Sequence, residues 1–105
     1  MKKNTKAIGR LIRLNVEQID KKAEVILFGS RARGDEKPDS DWDLLVLTDH
    51  PVDLRQERTF RDALYDLELE TGEPISLFVY YKEDWLTRQR VTPFFQNVTR
   101  EGVRL

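Results

Sequence analysis

Apolar residues recur along this chain in two distinct periods, and the alternation between them lays out the fold. Ile8, Leu11, Ile12 and Ile19, supported by Val16, fall at helical spacing and predict a first amphipathic helix over about residues 5–21. The run Glu24-Val25-Ile26-Leu27-Phe28 is short, β-rich and ends at Gly29, which suits a buried strand better than a helix. Residues 31–40 are polar and contain Gly34 and Pro38, so a short helical turn followed by a loop is expected there. A second strand is predicted over 42–47, followed by the turn Asp49-His50-Pro51. Asp53 then stands three residues before Gln56, a capping-box-like start for a long helix whose stripe is Phe60, Ala63, Leu64 and Leu67 and whose end is Gly72. Pro74 leads into a third strand over 75–81, rich in β-branched and aromatic residues. Residues 82–90 read as helical in part, and Thr92-Pro93 as an N-cap with proline at the first position of a last short helix ending near Gly102. This order predicts an α/β (α+β) fold, a small mixed sheet of three to four strands flanked by helices.

Composition narrows the class. A length of 105 residues suits one domain, taken as 1–105, and 39% hydrophobic against 35% charged residues supplies a core while carrying too much charge for a membrane span. The absence of cysteine excludes disulfides, thiolate metal sites and a Cys nucleophile. Arg10 and Arg13 interrupt the apolar stretch that a secretory signal would need after Lys2 and Lys3, so a cytoplasmic protein is expected. The net charge is only −1, yet Lys2, Lys3, Lys6, Arg10 and Arg13 all precede the first acid, Glu17. That basic start reads as a solvated helix face rather than a nucleic-acid surface, since no groove-reading or stacking motif accompanies it.

Candidate chemistry concentrates between residues 29 and 46. Gly29-Ser30 closes a buried strand, where glycine lets an anion approach the backbone and serine offers a hydroxyl, a turn suited to phosphate. Asp41-Trp42-Asp43 opens the next strand. Side chains two apart share a face, roughly 6–7 Å apart at Cα, so the two carboxylates converge on one point. Like charges held together beside a buried strand call for a divalent cation, and oxygen ligands favour Mg²⁺ or Mn²⁺ over Zn²⁺. Arg31 and Arg33 offer guanidinium groups for a triphosphate. His50, the single histidine, reads as a turn residue, and Tyr80, Tyr81, Trp85, Phe94 and Phe95 read mostly as core.

Gly-Ser, ten intervening residues and Asp-x-Asp together resemble the signature of the polymerase-β-like nucleotidyltransferase superfamily, and the length resembles its minimal, single-domain subgroup. The resemblance covers residues from about 24 to 81. It implies that Gly29 and Ser30 take a triphosphate and that Asp41 and Asp43 hold Mg²⁺ (or Mn²⁺) ions and carry catalysis. It further implies transfer of a nucleoside monophosphate, AMP from ATP, to an acceptor. For this subgroup the implied partner is a HEPN-domain toxin, with the transferase as antitoxin, and self-association is compatible with that arrangement. One position departs: the family's third carboxylate, on the next strand, falls at Ser76 in Ile75-Ser76-Leu77. Glu70 and Glu73 lie off the strand parity and do not replace it. The departure leaves metal binding in place and weakens the general-base step or makes it partner-dependent. A competing expectation is therefore a catalytically impaired module that neutralises or scaffolds a partner by contact.

Overall fold

The computed structural model describes residues 3–105; Lys2, counted in the basic start, lies outside the described residues. Helix α1 (Lys3–Ile19) buries Ile12 and Val16 completely and leads through a turn to strand β1 (Glu24–Phe28). A single helical turn α2 (Ser30–Arg33) ends at Gly34, whose φ of 83° is the left-handed value glycine adopts without strain. The loop then reaches strand β2 (Trp42–Thr48). Helix α3 (Leu54–Thr71) begins where the Asp53 side chain accepts the Gln56 N–H at 2.8 Å and ends at Gly72 with φ 75°. Strand β3 (Ile75–Tyr81) runs directly into helix α4 (Lys82–Thr87), a 3-10 turn (Gln89–Val91) and helix α5 (Pro93–Glu101), capped by the Thr92 hydroxyl. A two-residue strand β4 (Val103–Arg104) closes the fold.

The sheet order is β3-β2-β1-β4, with β1 antiparallel to both β2 and β4, and β2 parallel to β3. The parallel pair needs a crossover, and α3 supplies it. Central β2 is covered on both faces. Trp42, Leu44 and Val46 pack with Ile12 and Val16 of α1 and with Phe60, Leu64 and Leu67 of α3, whereas Leu45 and Leu47 pack with Trp85 and Val98. A strand buried on both sides reads as a continuous apolar run, as Leu44 to Leu47 does. The expected α+β sheet flanked by helices is thus present. α1 is shifted two residues towards the start of the chain from the predicted span, and β2 is one residue longer. No helix among the described residues is long and apolar enough to cross a membrane.

Phe60→Ala should cost about 3–5 kcal/mol in urea unfolding, because the ring is fully buried between α3 and the sheet. Tyr65→Ala, on the outer side of the same helix with 58% exposure, should stay within about 0.5 kcal/mol. Equal losses would mean that α3 presents another face to the core.

Candidate active site

The site begins in the pairing of β1 with β2. Their register ends at Phe28 opposite Asp43, so the next residue, Gly29, turns directly beside the Asp43 side chain. Gly29 has φ 77° and ψ −159°, a backbone region essentially closed to other residues. A Cβ built there would overlap the Asp43 carboxylate and lie 3.0 Å from its Cγ. Glycine is required here twice over, by its own backbone and by its neighbour. The Gly29 carbonyl accepts the N–H groups of Ala32 and Arg33, both at 3.1 Å, which winds α2 and leaves the N–H groups at its start without intrahelical partners. Ser30 is half-buried at that start.

Asp41 and Asp43 stand on the sheet face opposite Trp42 and Leu44, as strand parity requires. In the β2–β3 register Ser76 lies opposite Asp43, and its hydroxyl donates to Asp41 Oδ2 at 3.1 Å. Ser76, where a third acid was expected, therefore stands beside the carboxylate pair. Burial, followed by the charge of Asp41, raises the Asp43 pKa; Glu101 adds to the rise and Arg33 opposes it. Among the described residues no cation forms an ion pair with either aspartate. Two carboxylates and a hydroxyl make an all-oxygen donor set that fits Mg²⁺ or Mn²⁺.

The two arginines part company. Arg31, only 8% exposed, lies over the Trp42 ring at 5.1 Å and donates to the Ser40 carbonyl at 2.8 and 3.1 Å and to Glu73 at 3.1 Å. Its guanidinium braces the loop that delivers Asp41 and is turned away from the expected triphosphate role. Arg33 is exposed and close enough to Asp43 to lower its pKa, and it donates to Asp35 at 3.2 Å and to Glu101 at 2.9 Å. Glu101 was not among the expected site residues. It sits at the end of α5, takes the Gly29 N–H at 3.0 Å as well as Arg33, and is held ionised by those contacts, Arg33 foremost. In sequence its one cue is an acid just before Gly102, which does not point to a turn 72 residues away.

A second titratable cluster, Asp20, Asp49 and His50, lies at the far end of β2, roughly 20 Å from Asp43 by strand rise, and does not belong to this site. His50 bonds Asp49 at 2.9 Å, and that contact raises its pKa; the ring also faces Asp20 at 3.8 Å, while Gln56 meets its other nitrogen. His50 is thus a turn residue, held by hydrogen bonds to Asp49 and Gln56. Two clefts of about 330 and 320 Å³, the first beside Tyr65 and Leu77 and the second beside Arg10 and Arg104, also lie away from the carboxylates.

Comparison with known proteins decides the family. The family described as nucleotidyltransferase domain matches residues 10–99. The chain belongs to the nucleotidyltransferase domain family. Among solved structures it is similar to a mutant of the toxin–antitoxin MntA–HpeT, with a TM-score of 0.67 and 18% identity over 91% of this chain and 70% of that one. A second MntA–HpeT mutant gives 0.61 at 24% identity over 91% and 68%. A toxin–antitoxin structure with AMP-PNP gives 0.59 at 20% identity over 88% and 70%. At such identities the likeness establishes the fold. No curated protein matches the nucleotidyltransferase chain.

Two stability measurements test this geometry. Gly29→Ala should destabilise the transferase strongly in thermal melts, and its cost should shrink in an Asp43→Ala background to the backbone penalty of about 1–3 kcal/mol. Equal costs in both backgrounds would deny the contact. A raised Asp43 pKa means that the folded state holds this proton more tightly than the unfolded chain, so stability is lost as pH rises through the folded value. Asp43→Asn should accordingly raise the melting temperature at pH 7 in chelator, with the gain vanishing below about pH 4. A lowered melting temperature would show that the carboxylate makes a stabilising contact.

Proposed function

We propose that residues 1–105 form one minimal nucleotidyltransferase domain that moves AMP from ATP onto an acceptor carried by a HEPN-type toxin, acting as its antitoxin. The observation that carries this reading is the packing of the Gly29-Ser30 turn against Asp43, because it places a phosphate-type turn and a carboxylate pair at one point. The toxin–antitoxin structures, one with AMP-PNP, support the nucleotide and the partner.

In this reading the Ser30 hydroxyl and the free N–H groups of α2 bind the triphosphate, with Arg33 beside them and Arg31 bracing the loop. Asp41 and Asp43 hold Mg²⁺ (or Mn²⁺), which when bound neutralises the phosphates and stabilises the entering and leaving oxygens of an in-line displacement. The acceptor hydroxyl bonds the α-phosphorus as the bond to the bridging oxygen breaks, releasing pyrophosphate. Ser76 cannot take the hydroxyl proton near neutral pH; its hydroxyl instead orients Asp41. The proton therefore passes to Asp43 or to a group carried by the acceptor. The carboxylates lie on the sheet rather than in either cleft described above, so acceptor positioning falls to the partner.

Ser76 favours a second reading, the contact module without catalysis. Labelled ATP, Mg²⁺ and the HEPN partner separate the two. Slow transfer is expected, abolished by Asp41→Asn with Asp43→Asn and changed little by Ser76→Ala, which removes one hydrogen bond to Asp41 and no group that takes a proton. Ser76→Asp should accelerate transfer by supplying a base. Tight partner binding with no transfer by the parent would establish the contact module instead.

A further inference from the structure

The strand ladder explains why something must meet the Gly29 N–H. Leu27 lies opposite Val103 and Ile26 opposite Arg104, so the edge of β1 that β4 covers reaches Gly29 where the chain has already turned into α5. A backbone N–H left there needs an acceptor, and the Glu101 carboxylate provides one at 3.0 Å. An uncharged carbonyl oxygen would serve the ladder equally well. The negative charge has a different consequence, because the other carboxylate oxygen takes the Arg33 guanidinium at 2.9 Å. The Glu101 side chain is only 14% exposed, so it is packed against the turn.

Together Gly29 N–H and Arg33 form an anion-attracting surface, and one anion of the chain itself, Glu101, is already seated on it. An incoming triphosphate meets Asp35, Asp41, Asp43 and Glu101, with Arg33 shared between two of these acids. We infer that Glu101 is an internal competitor for the triphosphate: its carboxylate occupies Gly29 N–H and Arg33, and nucleotide binds fully only when that carboxylate is released. The inference rests on the nucleotidyltransferase reading and adds to it a residue that sets nucleotide affinity. It also gives a route for control, since whatever draws α5 away from the turn, a partner docked on that helix included, would open the site. If the cradle is free about one tenth of the time, apparent affinity falls about tenfold below its intrinsic value.

Calorimetric titration of the full chain with Mg²⁺–AMP-PNP tests this, comparing the parent, Glu101→Gln and the Asp41→Asn, Asp43→Asn double variant. Glutamine keeps an acceptor for Gly29 and removes the charge, so Glu101→Gln should bind about tenfold tighter, while the double variant should lose binding. The Gly29 amide and Arg33 Nη–H resonances of the parent should also shift as nucleotide is added, a readout that does not depend on any variant folding. Equal or weaker binding by folded Glu101→Gln, with binding still abolished in the double variant, would overturn the competitor and leave the transferase reading standing. Unmoved Gly29 and Arg33 signals during saturable parent binding would overturn it likewise. No binding by parent or Glu101→Gln would overturn both readings together.

Discussion

The contact between the Gly29 backbone and the Asp43 carboxylate is the constraint from which the rest of the site follows. It is possible because β1 and β2 end their antiparallel register at Phe28 and Asp43, leaving the turn to fold back over the side chain. Any side chain at position 29 would push the turn off the strand. The same register sets parity: with Trp42 and Leu44 committed to the α1 and α3 core, Asp43 and its neighbour Asp41 must face the other way. A one-residue slip would bury the carboxylates and expose Trp42, so the apolar layer polices the chemistry.

Charge is arranged around that contact in two tiers. Arg31 is spent on structure, lying over Trp42 and tied to Ser40 and Glu73, which fixes the approach of the loop to Asp41. Arg33, two residues later on the same helical turn, points outward and is divided between Asp35 and Glu101. One turn of helix thus separates a buried brace from an exposed cation. The surrounding acids outnumber that cation, which leaves the pair at Asp41 and Asp43 dependent on what binds there.

Much of this was legible in the chain because it rests on local pattern. The limits of β1 and β3, the cap at Asp53, the stop at Gly72 and the start at Thr92-Pro93 follow from side-chain type over a few residues. The spacing of Gly29-Ser30 and Asp41-Trp42-Asp43 needed only two successive strands, and Ser76 needed only parity. Three features were not legible, each for a long-range reason. Strand β4 has two residues and no period to detect. Arg31 and Arg33 are chemically alike, and only the position of Trp42 beneath α2 turns one inward. Glu101 acquires its role because α5 returns the chain to the edge of β1.

The serine at position 76 becomes intelligible in the same terms. Its Cα is level with Asp43, and its hydroxyl already reaches Asp41. A carboxylate there would place a third negative charge beside two that already raise the Asp43 pKa through burial and repulsion. Serine instead donates a hydrogen bond to Asp41 and lowers the cost of the pair while no cation is bound. A further carboxylate does approach the site, on Glu101, but it arrives with Arg33 as counter-ion and on the side of the turn rather than of β3. The arrangement therefore separates two demands that a third strand aspartate would combine: holding Asp41 in place, which Ser76 does without adding charge, and placing a negative charge near the turn, which Glu101 does where it can be withdrawn with the helix that carries it.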